Sequence, residues 1–390
     1  MQRLFPIRNA INRKDQIQSR LLILAGLIIV VNAITITLAP AVRYHTGSER
    51  YQYTHWIGVI VWAAAFSFLH AQTSLKLANR DPFILPAIAL LTGFGLMMIW
   101  RLYPRLGQRQ TIWLAISALI FFLGVKFPSY LGFLRRYKYL WLISGLILTA
   151  MTILLGTNPN NVGPTLWYEF LGIHFQPSEA LKLLLIIYLA SFFTDEHTIK
   201  LSKIENFLPT TFVISTAILI LFAQKDLGTA SIILLVYLLI LYTVRENKLL
   251  LWISPALVLT AGFLGYLFID IVRVRIDTWL HPFSDPTGTS YQIIQSLIGI
   301  AEGQIFGAGP GLGSPALIPV SVSDFIFASI SEEFGFFGAI IIILLVVVLL
   351  YRGTIIALST TNSFNRYLSL GLVFYFGVQS SLIIGGNINK

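Results

Sequence analysis

The sequence predicts an all-α polytopic membrane protein, with about eleven transmembrane helices and one large structured extracytoplasmic loop. Three observations carry that prediction. Hydrophobic residues make up 56% of the 390 residues and charged residues only 11%, against roughly 25% charged in soluble domains. A soluble chain of this length still exposes a large surface and could not hide so much apolar area. The apolar residues also arrive in continuous runs near the roughly 20 residues that a bilayer core requires. A membrane barrel would instead show alternation in segments of about ten residues.

Residues 1–20 carry Arg3, Arg8, Arg13, Lys14 and Arg20 and read as a cytoplasmic segment. The run Leu21–Ala41 is too long for the apolar core of a signal peptide, although Ala39-Pro40-Ala41 resembles a cleavage site, and it reads as the first span. Further spans are expected near 55–73, 82–100, 111–125, 138–156, 177–194, 208–223, 228–243, 249–270, 324–351 and 367–385. With the N-terminus in the cytoplasm, alternation puts 17 Lys and Arg on the cytoplasmic side and nine on the other, with Lys182 inside a span. That bias obeys the positive-inside rule and places residues 271–323 outside.

The chain has no cysteine, which excludes disulfides and thiolate chemistry, and its six histidines lack HExxH-type spacing. The net charge of +10 comes from residues flanking the spans, so membrane lipids, not nucleic acid, are the expected partners. Arg101, Arg105 and Arg109 are the exception, a cluster in one short outer loop. Snorkelling to headgroups and binding an anion account for it equally well.

Three polar groups interrupt the apolar runs. In Gln176–Lys182, Pro177 suits a first helical position and Glu179 the positive end of the helix dipole. Lys182 lies a turn further in, three residues from Glu179, and is expected to form a structural ion pair with it. In Gln224–Thr229, Lys225 and Asp226 mark either a tight outer turn or a charged break lining a cavity. Glu332 and Glu333 begin the span near 324–351, and adjacent carboxylates on a helix make a poor acid/base pair.

The 271–323 loop is the longest polar, Gly- and Pro-rich interval. Asp285-Pro286-Thr287-Gly288 predicts a turn. Ser290 then opens a short helix to Gly303, with Ile294, Leu297, Ile298 and Ala301 forming an apolar stripe suited to the membrane interface. Gly303, Gly307, Gly309, Gly311 and Gly313 follow without a P-loop motif, and are read first as turn formers and second as a phosphate cradle. Asp277, Asp285, Glu302 and Asp324 are the loop's carboxylates. Asp277 is read as an ion-pair partner of Arg275, Asp324 as a helix cap, and Glu302 as the solvent edge of the short helix. For Asp285, a turn residue and a general base are equally good readings.

In this order, Phe175–Lys182 (FQPSEALK), Gln224–Thr229 (QKDLGT), Asp285–Gly303 (DPTGTSYQIIQSLIGIAEG), Gly307–Gly313 and Ile318–Gly335 (IPVSVSDFIFASISEEFG) resemble the SEDS family (shape, elongation, division and sporulation), the group containing RodA and FtsW. The resemblance covers roughly residue 160 onward. It sets 157–390 apart as a family core, with 21–156 as extra N-terminal helices of which Leu91–Leu102 is similar to longer members. Lys225 stands where the family has proline, Leu166 where it has a basic residue, and Val322-Ser323 where it has His-Thr. The chain ends at Lys390 ahead of the family's final SYGGSS-type segment, which suggests a truncation or a divergent member.

The resemblance implies a peptidoglycan glycosyltransferase of the inverting hexosyltransferase type. It would polymerise lipid II at the outer face of the bacterial cytoplasmic membrane, for elongation or division, with a class B penicillin-binding protein. A lipid II flippase using Glu179, Lys182 and Asp226 as a polar path, and a non-catalytic scaffold, are the alternatives. Asp285 matches the aspartate held essential in the family, which moves its reading to catalytic base. Arg101, Lys225, Asp324, Gln292 and Gln295 are assigned to substrate binding. Cationic stabilisation of the leaving pyrophosphate is expected from a divalent cation (Mg or Mn), Arg101 or Lys225. No organic cofactor is expected.

Overall fold

A computed structural model describes residues 5–44, 51–77, 79–158, 164–170, 173–195, 208–245 and 249–388. Arg3, Arg50, Lys200, Lys203, Lys248 and Lys390, which enter the charge bias above, lie outside the described residues. The elements are helices α1 (Phe5–Tyr44), α2 (Trp56–Lys76), α3 (Ile84–Leu102), α4 (Pro104–Lys126), α5 (Tyr130–Arg136) and α6 (Lys138–Leu155), then strands β1 (Tyr168–Phe170) and β2 (Ile173–Phe175). Helices α7 (Pro177–Phe192), α8 (Leu208–Ala223), α9 (Leu227–Arg245), α10 (Leu249–Phe268), α11 (Asp270–Leu280), α12 (Tyr291–Gly303), α13 (Ile326–Ser359) and α14 (Ser363–Ile388) follow.

Every expected span falls on an apolar helix, so the chain is a polytopic all-α membrane protein. Among the described residues eight helices are long and apolar enough to cross a membrane, namely α1, α2, α3, α4, α6, α9, α13 and α14. Helices α7 and α8 stop at 16 residues, about 24 Å at 1.5 Å per residue and short of a hydrocarbon core of roughly 30 Å; α10 runs for 20.

Local chemistry sets the boundaries. Pro104 and Pro177 open α4 and α7, where the missing N–H is no loss. Helix α8 closes with the N–H of Lys225 donating to the Phe222 carbonyl and that of Asp226 to the Leu221 carbonyl, both at 2.9 Å. This is a Schellman closure, and it holds Lys225 at a φ of +61°. Proline's ring forbids that angle, so the departure from the family's proline has a backbone counterpart. Asp226 then caps α9, its Oδ1 accepting from the Thr229 N–H at 3.1 Å. The antiparallel pair β1–β2 joins Tyr168 to Phe175 and Phe170 to Ile173.

Two compact units emerge. The first comprises 1–127, 266–352 and 380–390, the second 128–265 and 353–379. The first has a core of Ile29, Trp62, Met97, Met98 and Trp100. The second centres on Leu181, Tyr188, Leu189, Leu221 and Ile240, with α6 against α7 and α8 against α9. Helices in lipid gain little from hydrophobicity and rely on close packing. In the first unit Gly107 lets α4 press on Trp100, whose ring a Cβ would meet at 2.5 Å, and the Trp100 indole N–H donates to Thr111 Oγ1 at 2.9 Å.

Candidate functional site

Helix α13 is not continuous. Gly335 has φ +65° and ψ −164°, a left-handed break that a side chain would strain. Four main-chain hydrogen bonds from the 303–314 loop repair the gap. The N–H groups of Ala308 and Gly309 donate to the freed carbonyls of Glu332 and Glu333 at 2.9 and 3.0 Å. On the far side of the break, the N–H groups of Phe336 and Phe337 donate to the carbonyls of Gln304 and Ile305 at 2.9 and 3.4 Å. The glycines are therefore more than turn formers. A Cβ on Gly303 would collide with the Ser331 carbonyl, and one on Gly307 with the Glu333 carbonyl.

The loop continues into a charged cluster. Glu332 and Glu333 are 2% and 1% exposed, and both turn to the loop. Glu333 Oε2 accepts from the Gly311 N–H at 3.0 Å, and Glu332 Oε1 accepts from the Ser314 N–H. Arg101 Nε lies 3.4 Å from Glu333 Oε1, while Arg101 Nη2 donates to the carbonyls of Gly311 and Gly313 at 2.9 and 3.2 Å. Arg43 donates from Nη1 to the Gly313 carbonyl at 3.3 Å and from Nη2 to Ser314 Oγ at 2.9 Å. Buried carboxylates survive when paired and hydrogen-bonded; here each accepts one loop amide, and Arg101 lies beside Glu333. The sequence reading weighed Glu332 and Glu333 only as a poor acid/base pair and counted Arg43 only in the charge bias. Two carboxylates entering an apolar run were the available signal, since such charges mark function or partnership.

Asp285 occupies a different setting. It is fully exposed, and its own turn holds the carboxylate in place. Oδ1 accepts from the Gly288 N–H at 3.1 Å; Oδ2 accepts from the Thr289 N–H at 2.8 Å and from Thr289 Oγ1 at 3.2 Å. The Thr289 hydrogen bonds, with that from Gly288, hold its pKa below the ordinary carboxylate value. A Cβ at Gly288 would sit 2.7 Å from Asp285 Cγ, so glycine there keeps the carboxylate seated. Asp324 keeps contact with solvent but is crowded by protein. Desolvation raises its pKa, with Arg275 pulling the other way.

Helix α12 places Gln292 exposed and Gln295 half-buried. Its packed face is Ser296, Gly299 and Gly303 with Ile294, while Ile298 and Ala301 of the expected stripe are exposed. Small residues allow the close approach to α13, which overrides hydrophobicity as the packing rule here. Ser296 Oγ donates to the Asn387 carbonyl at 3.1 Å, and Asn387 Oδ1 accepts from the Ala328 N–H at 3.1 Å in the first turn of α13.

In the second unit, Lys182 Nζ sits 2.9 Å from Glu179 Oε1 and 5.0 Å from the Tyr375 ring centroid, with the Tyr375 hydroxyl donating to Glu179 Oε2 at 3.4 Å. Asp226 Oδ2 accepts from Gln176 Nε2 and Ser178 Oγ at 3.4 and 3.5 Å. Lys225 is exposed. Among the described residues no three His, Asp or Glu side chains gather as metal ligands.

A family profile described as cell cycle protein, FtsW/RodA/SpoVE, matches residues 82–389, so that only α1 and α2 lie wholly outside it. The match begins within the region that the sequence reading set apart as extra helices. The chain is similar to the peptidoglycan glycosyltransferase RodA of Mycobacterium tuberculosis (strain ATCC 25618 / H37Rv), 32% identical over 331 residues that cover 78% of this chain and 70% of that one. The RodA of Mycobacterium leprae is 30% identical over 389 residues, covering 93% and 82%. Stage V sporulation protein E of Bacillus subtilis is 28% identical over 312 residues, covering 77% and 84%. Among solved structures, one describing structural coordination of polymerization and crosslinking by a peptidoglycan synthase complex shares the fold, with a TM-score of 0.55, 21% identity and coverage of 85% and 87%.

Proposed function

The chain belongs to the FtsW/RodA/SpoVE family of cell cycle proteins, and from that membership we propose that it is a peptidoglycan glycosyltransferase that polymerises lipid II at the outer face of a bacterial cytoplasmic membrane. Relatives named peptidoglycan glycosyltransferase support the activity. The observation that carries the site is the carboxylate of Asp285, exposed to solvent yet fixed by three hydrogen bonds. A carboxylate offers about four acceptor positions. Oδ2 uses two and Oδ1 one, which leaves one on Oδ1 for an incoming hydroxyl.

In that role Asp285 Oδ1 takes the proton of the acceptor sugar's 4-hydroxyl as its oxygen attacks the donor's anomeric carbon. The bond from that carbon to the pyrophosphate oxygen breaks, and the electron pair leaves with the lipid pyrophosphate. One displacement inverts the anomeric centre. The lowered pKa keeps Asp285 ionised, the form a base needs. Glu179, Lys182 and Asp226 are engaged in pairing and capping, so a polar transport path gains no support from them. The N-terminus is assigned to the cytoplasm from the basic bias. The partner is assigned as a class B penicillin-binding protein, consistent with a fold shared with a synthase complex that couples polymerization to crosslinking.

The test is Asp285→Asn, purified and assayed on lipid II. The variant keeps the side chain's size and one acceptor oxygen for the exposed turn, so it should fold with at most a small drop in melting temperature, yet lose roughly 10²–10⁴-fold in polymerisation rate. Polymerisation within a few-fold of the parent chain would return Asp324 and Glu302 as the bases to examine.

A further inference from the structure

We propose that α1, which lies outside the residues matched by the family profile, braces the glycine-rich loop, and that Arg43 near its end is a positioning residue for Gly311–Ser314. This rests on the glycosyltransferase reading for its catalytic consequence, although the geometry stands apart from it.

The segment Gly311–Ser314 is held from two sides. Its amides face the carboxylates, Gly311 N–H to Glu333 and Ser314 N–H to Glu332. Its carbonyls face guanidinium groups, and the Gly313 carbonyl is shared by Arg43 from α1 and Arg101 from α3. Arg43 and Arg101 both favour the ionised forms of Glu332 and Glu333, against burial and, at Glu332, the charge of Glu302. Removing Arg43 leaves Arg101 alone opposite two carboxylates. Shape adds to charge. Gly311 sits at φ +81°, and a Cβ there would lie 2.5 Å from Ala39 Cβ on α1. Ile36, Ala39 and Arg43 of α1 face Arg101 and Gly311 across a cleft of about 80 Å³. The N-terminal helix therefore forms a wall against which the glycine-rich loop is pressed, and the same loop repairs the break in α13. An arginine contacting two successive loop residues with different nitrogens fixes orientation in a way a single-point cation does not.

Arg43→Ala and Arg43→Lys in the full chain test this, with Leu38→Ala on the exposed face of α1 as control. Amide hydrogen exchange over 304–318 reads the loop directly, and lipid II polymerisation reads the site. Arg43→Ala should speed exchange at Gly311–Ser314 by roughly tenfold or more and lower kcat by roughly tenfold or more with KM little changed. Lysine should recover part of both, and Leu38→Ala should change neither. A raised KM with unaltered exchange would overturn the proposal by making Arg43 a contact for the anionic substrate. Parental exchange and kinetics in Arg43→Ala would reduce α1 to passive packing. Should the parent chain fail to polymerise lipid II, the glycosyltransferase reading falls, and exchange alone still decides whether Arg43 holds the loop.

Discussion

Asp285 and Asp324 are separated by what surrounds their protons. Hydrogen bonds from Thr289 and Gly288 pull the Asp285 pKa below 3.8, whereas desolvation pushes that of Asp324 above it. The acid limb of kcat/KM reports the free enzyme's essential base. With Asp285 as base, activity is predicted to hold as pH falls to about 4 and to fail only below it. Thr289→Val removes one of the three hydrogen bonds and should move that limb upward. A limb already well above pH 4 in the parent chain would point to Asp324. The sign for stability is the same. A lowered carboxylate pKa contributes stability above the unfolded value and loses it as pH falls through the folded one, so the 285–289 turn should loosen only in strong acid. The turn at Asp285 was legible because its chemistry stands in one tetrapeptide, while the role of base came from the resemblance alone. Glu332 and Glu333 were not, because their partners lie on α1, α3 and the glycine loop, none of which local sequence brings near.

Helix α13 shows what an element conceals. The run Glu332-Glu333-Phe334-Gly335-Phe336 reads as one helix, since a lone glycine is tolerated within a helical pattern. Its break follows from bonds made by the 303–314 loop, and no periodicity encodes those. Gly335→Ala is predicted to be severe. The new Cβ would lie 2.6 Å from the Ile305 carbonyl oxygen at a φ of +65°, adding to a conformational strain of about 1–3 kcal/mol. Gly262→Ala in α10 meets nothing within 4 Å and should be neutral or stabilising by up to about 1 kcal/mol. Thermal melting of the two in one detergent is the comparison, and equal melting temperatures would mean the loop does not depend on the break. The β1–β2 pair was invisible for another reason, since three-residue strands leave too little alternation to detect.

At the scale of the whole molecule, hydropathy carries most of the information. Apolar runs made eleven helices legible, and among the described residues eight of them are long and apolar enough to cross a membrane. The two compact units were not legible, because each is assembled from segments distant in the chain.

Orientation rests on charge, with 17 basic residues on one side against nine on the other. The 34 residues of α13 would extend about 51 Å as one helix, well beyond the roughly 30 Å of a hydrocarbon core. The break at Gly335 leaves 336–359, about 36 Å, which suffices to span alone. Glu332 and Glu333 then precede that spanning part and pack with the loop. A cysteine-free chain makes this directly measurable, with no background labelling. Ser314 is a poor reporter, because its amide and hydroxyl are engaged by Glu332 and Arg43. Ala316 and Thr361 are exposed and flank α13. Ala316→Cys should react with a membrane-impermeant thiol reagent in intact cells, and Thr361→Cys only after lysis. The reverse pattern would put the loop in the cytoplasm, away from the face where lipid II must be polymerised, and would take the assignment of Asp285 as base with it.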